Sequence, residues 1–247
     1  MPLDAWRRRA AVAALASAAS PEHGLAVAGE AEVRGGVRRQ PVTWAALSGL
    51  RRGLIARPAG GGAWPAVLVV APHQAQAVAA AVGLARHGLV VLAETCVGDL
   101  AADVADLLNA VAAVMDHDRA AGLTIGAVGI DLGAESVAWL ALADQRVGAV
   151  WLHAPRVGCA IPEELATLDV TLDEVVASLP PCAVGLSAGS AGPAVHAIEV
   201  LDAALDPARE AGATNCDAHL GAYGDELPDE VVAMAAARLD TWLAGRG

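Results

Sequence analysis

The sequence predicts one α/β domain built on a mostly parallel, doubly wound sheet, with helices on both faces. Three observations carry this. Apolar runs such as "AVLVVA" (66–71) and "LVVLA" (89–93) are continuous rather than alternating, the pattern of strands buried on both faces of a parallel sheet. These runs alternate with helical stretches at the pitch of right-handed βαβ crossovers. Finally, "IGAVGIDLGAESVAWLAL" (125–142) reads as strand, tight turn and helix, with Gly129 and Gly133 bracketing Asp131. Turns of the form G-x-S-x-G lift a nucleophilic side chain above the edge of a parallel sheet. Here a carboxylate occupies that place.

The elements follow in order. "MPLDAWRRRAAVAALASAAS" couples arginines to an apolar run, as a signal peptide does. The run is weakly hydrophobic and far short of the roughly 20 residues of a membrane span, so an N-terminal helix is expected. The Gly-, Arg- and Glu-rich stretch 21–41 reads as irregular, which sets residues 1–41 apart from a domain at 42–247. "PVTWAAL" and "GLIARPA", joined by "SGLRR", read as an edge hairpin. A buried strand at 66–71, a helix at 75–87 and a second buried strand at 88–94 come next. The segment 99–117 reads as a helix with Asp99 as its N-cap, followed by the strand 125–130 and the helix after Gly133. The alternation continues with the strand "VGAVWLHAP", a helical or irregular stretch at 162–179, the strand "PCAVGLSAG", the helix "PAVHAIEVLDAAL", the short strand of "GATNCDAHLGAY" and a helix at 228–244.

Composition excludes several functions. A net charge of −12 is the wrong sign for a phosphate-binding surface, so no nucleic-acid partner is expected. All 16 cations are arginine, and the one basic run, at 7–9, reads as a solvated helix face. The four cysteines (Cys96, Cys159, Cys182, Cys216) are dispersed without a C-x-x-C pair, which suggests reduced thiols in a cytoplasmic setting and argues against a zinc site. No cofactor, metal or membrane partner is expected. The expected partner is a small molecule, with a homodimer as the one protein assembly considered.

In open α/β sheets ligands bind beyond the carboxyl ends of the strands. The residues leaving those ends are His73 and Gln74, Glu94 to Cys96, Asp131, His153, Ser187 to Ser190, and Asp217 to His219. Three histidines (His73, His153, His219) and Asp131 would therefore face one pocket, with Trp139 and Trp151 in its lining. Cys96 stands where a displaced nucleophile would.

The run "GLIARPAGGGAWPAVLVV", the helix and "GLVVLAE" after it, the elbow "VGIDLGA", the "DQRVGAVWLHAP" strand and the late "CDAHLGAY" together resemble the dienelactone hydrolase family of α/β-hydrolases over roughly 42–245. That resemblance implies an α/β-hydrolase fold without a large cap and a cysteine or serine nucleophile. It also implies a histidine base and an aspartate that orients it. Position by position, the nucleophile falls on Asp131 and the histidine on His219. The orienting aspartate finds no acid in 187–195, and the acid expected after the strand at 66–71 is replaced by His73 and Gln74.

Three readings compete. In the first, Asp131 and His219 pair directly as a general acid/base couple that drives isomerisation, elimination or ring closure of an apolar molecule. The N–H of Leu132 and one near His73 would hold an oxyanion, and His73 and His153 would add polarity. In the second, Asp131 is a nucleophile that opens an epoxide, halide or lactone through an ester hydrolysed by activated water. In the third, catalysis is lost and the fold binds a ligand only; against it stands the retention of both elbow glycines around a strained turn.

Overall fold

A computed structural model of the chain describes residues 2–16, 25–46, 49–117, 119–156, 158–161, 163–179, 181–190, 194–221 and 227–244. The chain opens with helix α1 (Ala5–Ala16) and three strands, β1 (Ala26–Val27), β2 (Glu32–Arg34) and β3 (Val37–Ala46). Strand β4 (Gly49–Pro58) returns along β3, with ten residue pairs in antiparallel register from Val37–Pro58 to Ala46–Gly49. Then come β5 (Trp64–Ala71), α2 (Gln74–Arg86), β6 (Val90–Thr95), α3 (Leu100–Met115), β7 (Ala120–Ile130), α4 (Leu132–Ala143) and β8 (Val147–His153). The chain finishes with α5 (Glu163–Ala166), α6 (Leu172–Ala177), β9 (Ala183–Gly189), α7 (Ala194–Ala204), α8 (Asp206–Glu210), β10 (Cys216–Gly221) and α9 (Asp229–Ala244).

All these strands join one sheet in the order β1-β3-β4-β6-β5-β7-β8-β9-β10, with β2 also on β3. From β6 to β10 every pairing is parallel, and β4 meets β6 antiparallel. The central strands are buried along almost their whole length. Alternate side chains serve opposite layers. Val67, Val69, Val91, Val128, Ile130 and Trp151 pack under α2 and α9. Leu68, Val70, Leu92, Val150, Leu152 and Val184 pack under α1, α3, α4, α6 and α7. Fully burying a Val or Leu side chain contributes roughly 1.5–3 kcal/mol, so the continuous apolar runs drive both layers at once.

Local signals set the helix starts. Asp99 caps α3 by accepting a hydrogen bond from Ala102 N at 3.0 Å. Thr171 and Glu174 form a capping box at the start of α6. Between β8 and β9 the described chain holds only the short helices α5 and α6, in keeping with a fold that lacks a large cap.

The N-terminal boundary differs from the expectation. The sheet begins well before residue 42: β1 and β2 both pair with β3, and β3 itself starts at Val37. From residue 25 onward, the described part of the stretch read as irregular extends the end of the sheet, and residues 21–24 lie outside the described residues. The arginines of the stretch disguise the alternation, because one face of these outer strands meets solvent and tolerates charge: Arg38 is exposed while Val37 is buried.

Candidate functional site

Strand β7 ends at Ile130, and the next residue turns sharply. Asp131 has φ 56° and ψ −123°, a conformation that L side chains rarely adopt, and α4 starts immediately after it. Its neighbours explain both glycines. A Cβ on Gly129 would lie 2.4 Å from Ala134 Cα, and one on Gly133 would lie 2.3 Å from the Val70 carbonyl oxygen. The strand, the turn and the helix thus approach too closely for any other residue at either position. Asp131 N donates to His153 O at 3.0 Å, which pins the turn to β8. The N–H groups of Leu132 and Gly133, in the first turn of α4, have no acceptor within the helix.

A second unusual conformation follows β8. Ala154, at φ 45°, donates its N–H to Ser187 O at 2.7 Å and redirects the chain across the elbow. Arg156 N then approaches Asp131 O at 3.3 Å, and Arg156 Nε lies 3.3 Å from Asp131 Oδ1. The contact is one of charge only, because Oδ1 is buried and accepts no hydrogen bond from the described residues. A buried carboxylate oxygen left without a donor is uncommon in a folded protein and marks a place to look for function.

Two buried carboxylates fix the surrounding loops. Glu135 Oε2, in the first turn of α4, accepts hydrogen bonds from Gly158 N at 2.9 Å and Cys159 N at 3.0 Å. Asp103 of α3 accepts from Val97 N at 2.8 Å and Gly98 N at 3.0 Å. The two loops then bond each other, Ala160 N to Gly98 O at 2.7 Å and Leu100 N to Ala160 O at 2.9 Å. Burial holds the Asp103 carboxyl above the usual range, opposed by the two N–H donors it accepts.

Asp131 borders two cavities. The larger, about 530 Å³, is lined chiefly by apolar side chains: Trp139 of α4, Ile161, Val170 and Leu172, and Ala194, Ala197, Val200 and Leu201 of α7. Arg156, Glu135, Thr171, Asp173 and His196 add polar groups to Asp131 in its lining. The smaller, about 450 Å³, lies on the other side of Asp131 and is lined by His73, Ala75, Gln76, Ala79, Ala80 and Leu227. Among the described residues no group of three or more His, Cys, Asp or Glu side chains is arranged to hold a metal ion, and no helix is long and apolar enough to cross a membrane.

The structure brings some of the expected site residues to Asp131 and separates others. His73, at the N-cap of α2, shares the smaller cavity with Asp131. Gln74 opens α2 beside it, with its side chain exposed and outside both linings. Leu132 starts α4. His219 is not at the elbow. It lies within β10, in register with Ser187 of β9, which is in register with His153 of β8 and through it with Ile130. Three strand spacings, or about 14 Å, therefore separate it from the elbow strand. Its exposed side chain lines neither cavity, and the direct Asp131–His219 couple gives way to the Asp131–Arg156 pair.

Three other expectations are corrected by burial. His153 is fully buried beneath the elbow, with Nδ1 at 2.9 Å from Ser187 Oγ, which also accepts from Trp151 Nε1 at 2.8 Å. Trp151 packs on Trp242 and over Gly185, where an added Cβ would lie 2.2 Å from its ring; it belongs to the core rather than a ligand surface. Cys96 is buried outside both cavities, and burial followed by the nearby Asp103 charge pushes its thiol up to about 12. Burial and Glu135 do the same to Cys159, also to about 12. Neither sulfur is a thiolate near neutral pH.

Arg156 is the site residue that the sequence reading missed. Its only local signal is its place three residues beyond the strand end in "WLHAPR", and nothing there indicates that the chain doubles back over Asp131.

No family model matches the chain, and no curated protein matches it in sequence. Solved structures match it in shape. The methylesterase BT1017 superposes with a TM-score of 0.67 over 97% of this chain at 12% identity, and the chain spans 62% of that protein's length. A CE15 glucuronoyl esterase from Teredinibacter turnerae T7901 gives a TM-score of 0.65 at 12% identity, covering 89% of this chain and 78% of that one. A protein from Klebsiella pneumoniae subsp. pneumoniae MGH 78578 described as a dienelactone hydrolase gives 0.64 at 14% identity, covering 84% and 98%. At this identity the likeness is one of architecture, and the chain has the α/β-hydrolase fold.

Proposed function

We propose that the protein is an α/β-hydrolase-fold enzyme that uses Asp131 as a general base on an apolar small molecule held in the larger cavity. The observation that supports this most is the Asp131 carboxylate itself. It is held at a strained elbow, with one buried oxygen that no hydrogen-bond donor claims, at the wall of an apolar cavity. Strain and an unsatisfied buried acceptor both cost stability, and both persist most readily where function requires them.

In this reading the Asp131 carboxylate takes a proton from the carbon next to a substrate carbonyl. The C–H electron pair moves into the carbonyl, and the developing oxyanion is held by the N–H groups of Leu132 and Gly133 and by the Arg156 guanidinium. Reprotonation elsewhere, expulsion of a leaving group or attack of the enolate within the same molecule completes an isomerisation, elimination or ring closure. The apolar walls exclude water and strengthen each electrostatic contact. A covalent reading, with Asp131 attacking an epoxide, halide or lactone carbon, is the alternative; the elbow position favours it, and His73 shares the smaller cavity with Asp131 as His196 shares the larger.

Exchange in heavy water tests the proposal. Apolar ketones and β-dicarbonyl compounds incubated with the protein in deuterium oxide should gain deuterium beside the carbonyl, followed by NMR. Asp131→Asn should lose this exchange, and Ala197→Trp, which fills the cavity, should lose it as well. No exchange above buffer with any compound, or equal exchange by Asp131→Asn, would remove Asp131 as a base. Single turnover in ¹⁸O-labelled water that leaves label in the Asp131 peptide would establish the covalent route instead.

A further inference from the structure

We infer that Arg7 is a positioning residue that sets the shape of the larger cavity, strapping one of its walls from the far end of the chain. The inference rests on the reading of that cavity as the substrate site. The wall concerned is the segment 170–173, of which Val170, Thr171, Leu172 and Asp173 all line the cavity. It runs from the turn after the four-residue α5 into the first two residues of the six-residue α6, and helices this short do not hold their own shape in water. Asp169, just before it, has φ 48°, a left-handed conformation unfavourable for a side chain other than glycine. Something outside the segment must therefore fix it.

Helix α1 packs against α3, α4 and α5 and supplies that fastening. The Arg7 guanidinium reaches acceptors on both sides of the wall. On one side, Nε and Nη2 donate to Leu168 O at 3.1 and 3.0 Å, and Nη2 donates to Asp169 O at 2.6 Å. On the other, Nη1 and Nη2 donate to the two Glu174 carboxylate oxygens at 2.9 and 3.0 Å. The backbone of α1's approach adds a second tie: Leu3 N donates to Ser178 Oγ at 2.7 Å, and that hydroxyl donates to Glu174 O at 2.7 Å. A planar fork of five N–H groups spans these acceptors, whereas the single ammonium of a lysine cannot.

If the strap shapes the cavity, its loss should loosen 168–174 locally and change what the cavity accepts. Amide hydrogen exchange of the full chain reads the first effect. Titration with N-phenyl-1-naphthylamine, a neutral apolar fluorophore, reads the second. Arg7→Ala should speed exchange at least tenfold in peptides covering 168–174, with β5 and β7 unchanged, and should shift the Kd for the fluorophore at least fivefold. Arg7→Lys should resemble Arg7→Ala rather than the parent, because charge without the fork does not restore the ties. Exchange and affinity both within twofold of the parent in Arg7→Ala would overturn the inference. If Arg7→Ala exchanges faster throughout, Glu174→Gln decides: faster exchange confined to 168–174 supports the strap, and none overturns it. Both the exchange at 168–174 and the fluorophore affinity are read without any turnover by Asp131. Failure of the base chemistry is thereby distinguished from failure of the strap.

Discussion

Replacing Asp131 by glycine and, in a second variant, by alanine separates strain from charge at the elbow. Both variants lose the carboxylate and its contact with Arg156. That contact joins side chains that are 57% and 23% exposed, so it contributes at most about 1 kcal/mol, and the loss cancels between the two. Alanine keeps a Cβ at φ 56° and ψ −123°; glycine does not. Relief of the strain is worth about 1–3 kcal/mol, less about 0.5–1 kcal/mol for the greater freedom of glycine in the unfolded chain. Asp131→Gly should therefore be the more stable of the two by about 1 kcal/mol, or about 3 °C in Tm for a domain of this size. Differential scanning calorimetry of the two variants side by side measures this directly. An Asp131→Ala protein more stable than Asp131→Gly by about 0.5–1 kcal/mol, the full cost of glycine's freedom, would mean that the turn stores no strain. Function would then no longer be needed to account for the persistence of the elbow.

Two further outcomes follow from the buried groups. Burial pushes the Glu94 carboxyl from 4.5 up to about 7 against the pull of Arg51, whose Nη2 lies 2.6 Å from Oε1. The folded protein thus holds a proton that the unfolded chain releases. Its contribution is complete below pH 4.5 and lost as pH rises through about 7, amounting to at most about 3 kcal/mol. Denaturant unfolding at pH 5 and pH 8 should show the fall, and Glu94→Gln, which cannot titrate, should flatten it; an unchanged slope in the variant would assign the effect elsewhere. At the elbow, Gly133→Ala brings a Cβ to 2.3 Å from Val70 O, so α4 must shift off the sheet. The expected cost is about 1–3 kcal/mol, read as a lower Tm, and a variant as stable as the parent would show that the helix has room to move.

The fold class was legible in the sequence because it depends on local pattern. Continuous apolar runs can be satisfied only between two layers, and the glycine pair around Asp131 announces a turn where strand, helix and neighbouring backbone come within contact. The edge strands before residue 42 were less visible, since solvent on one side of an edge permits the arginines that broke the pattern. The elbow carboxylate was legible for the same local reason, but its partner was not. Which side chain meets Asp131 depends on the order and spacing of strands and on the route of the chain after β8. His219 reads from the sequence as leaving a strand end, yet it lies within β10, three strands away. Arg156 carries no signal of its own and arrives because Ala154 turns back over the elbow. Periodicity encodes what a residue's neighbours along the chain bury; it does not encode how a loop crosses space, and the chemistry of this site is set by such a crossing.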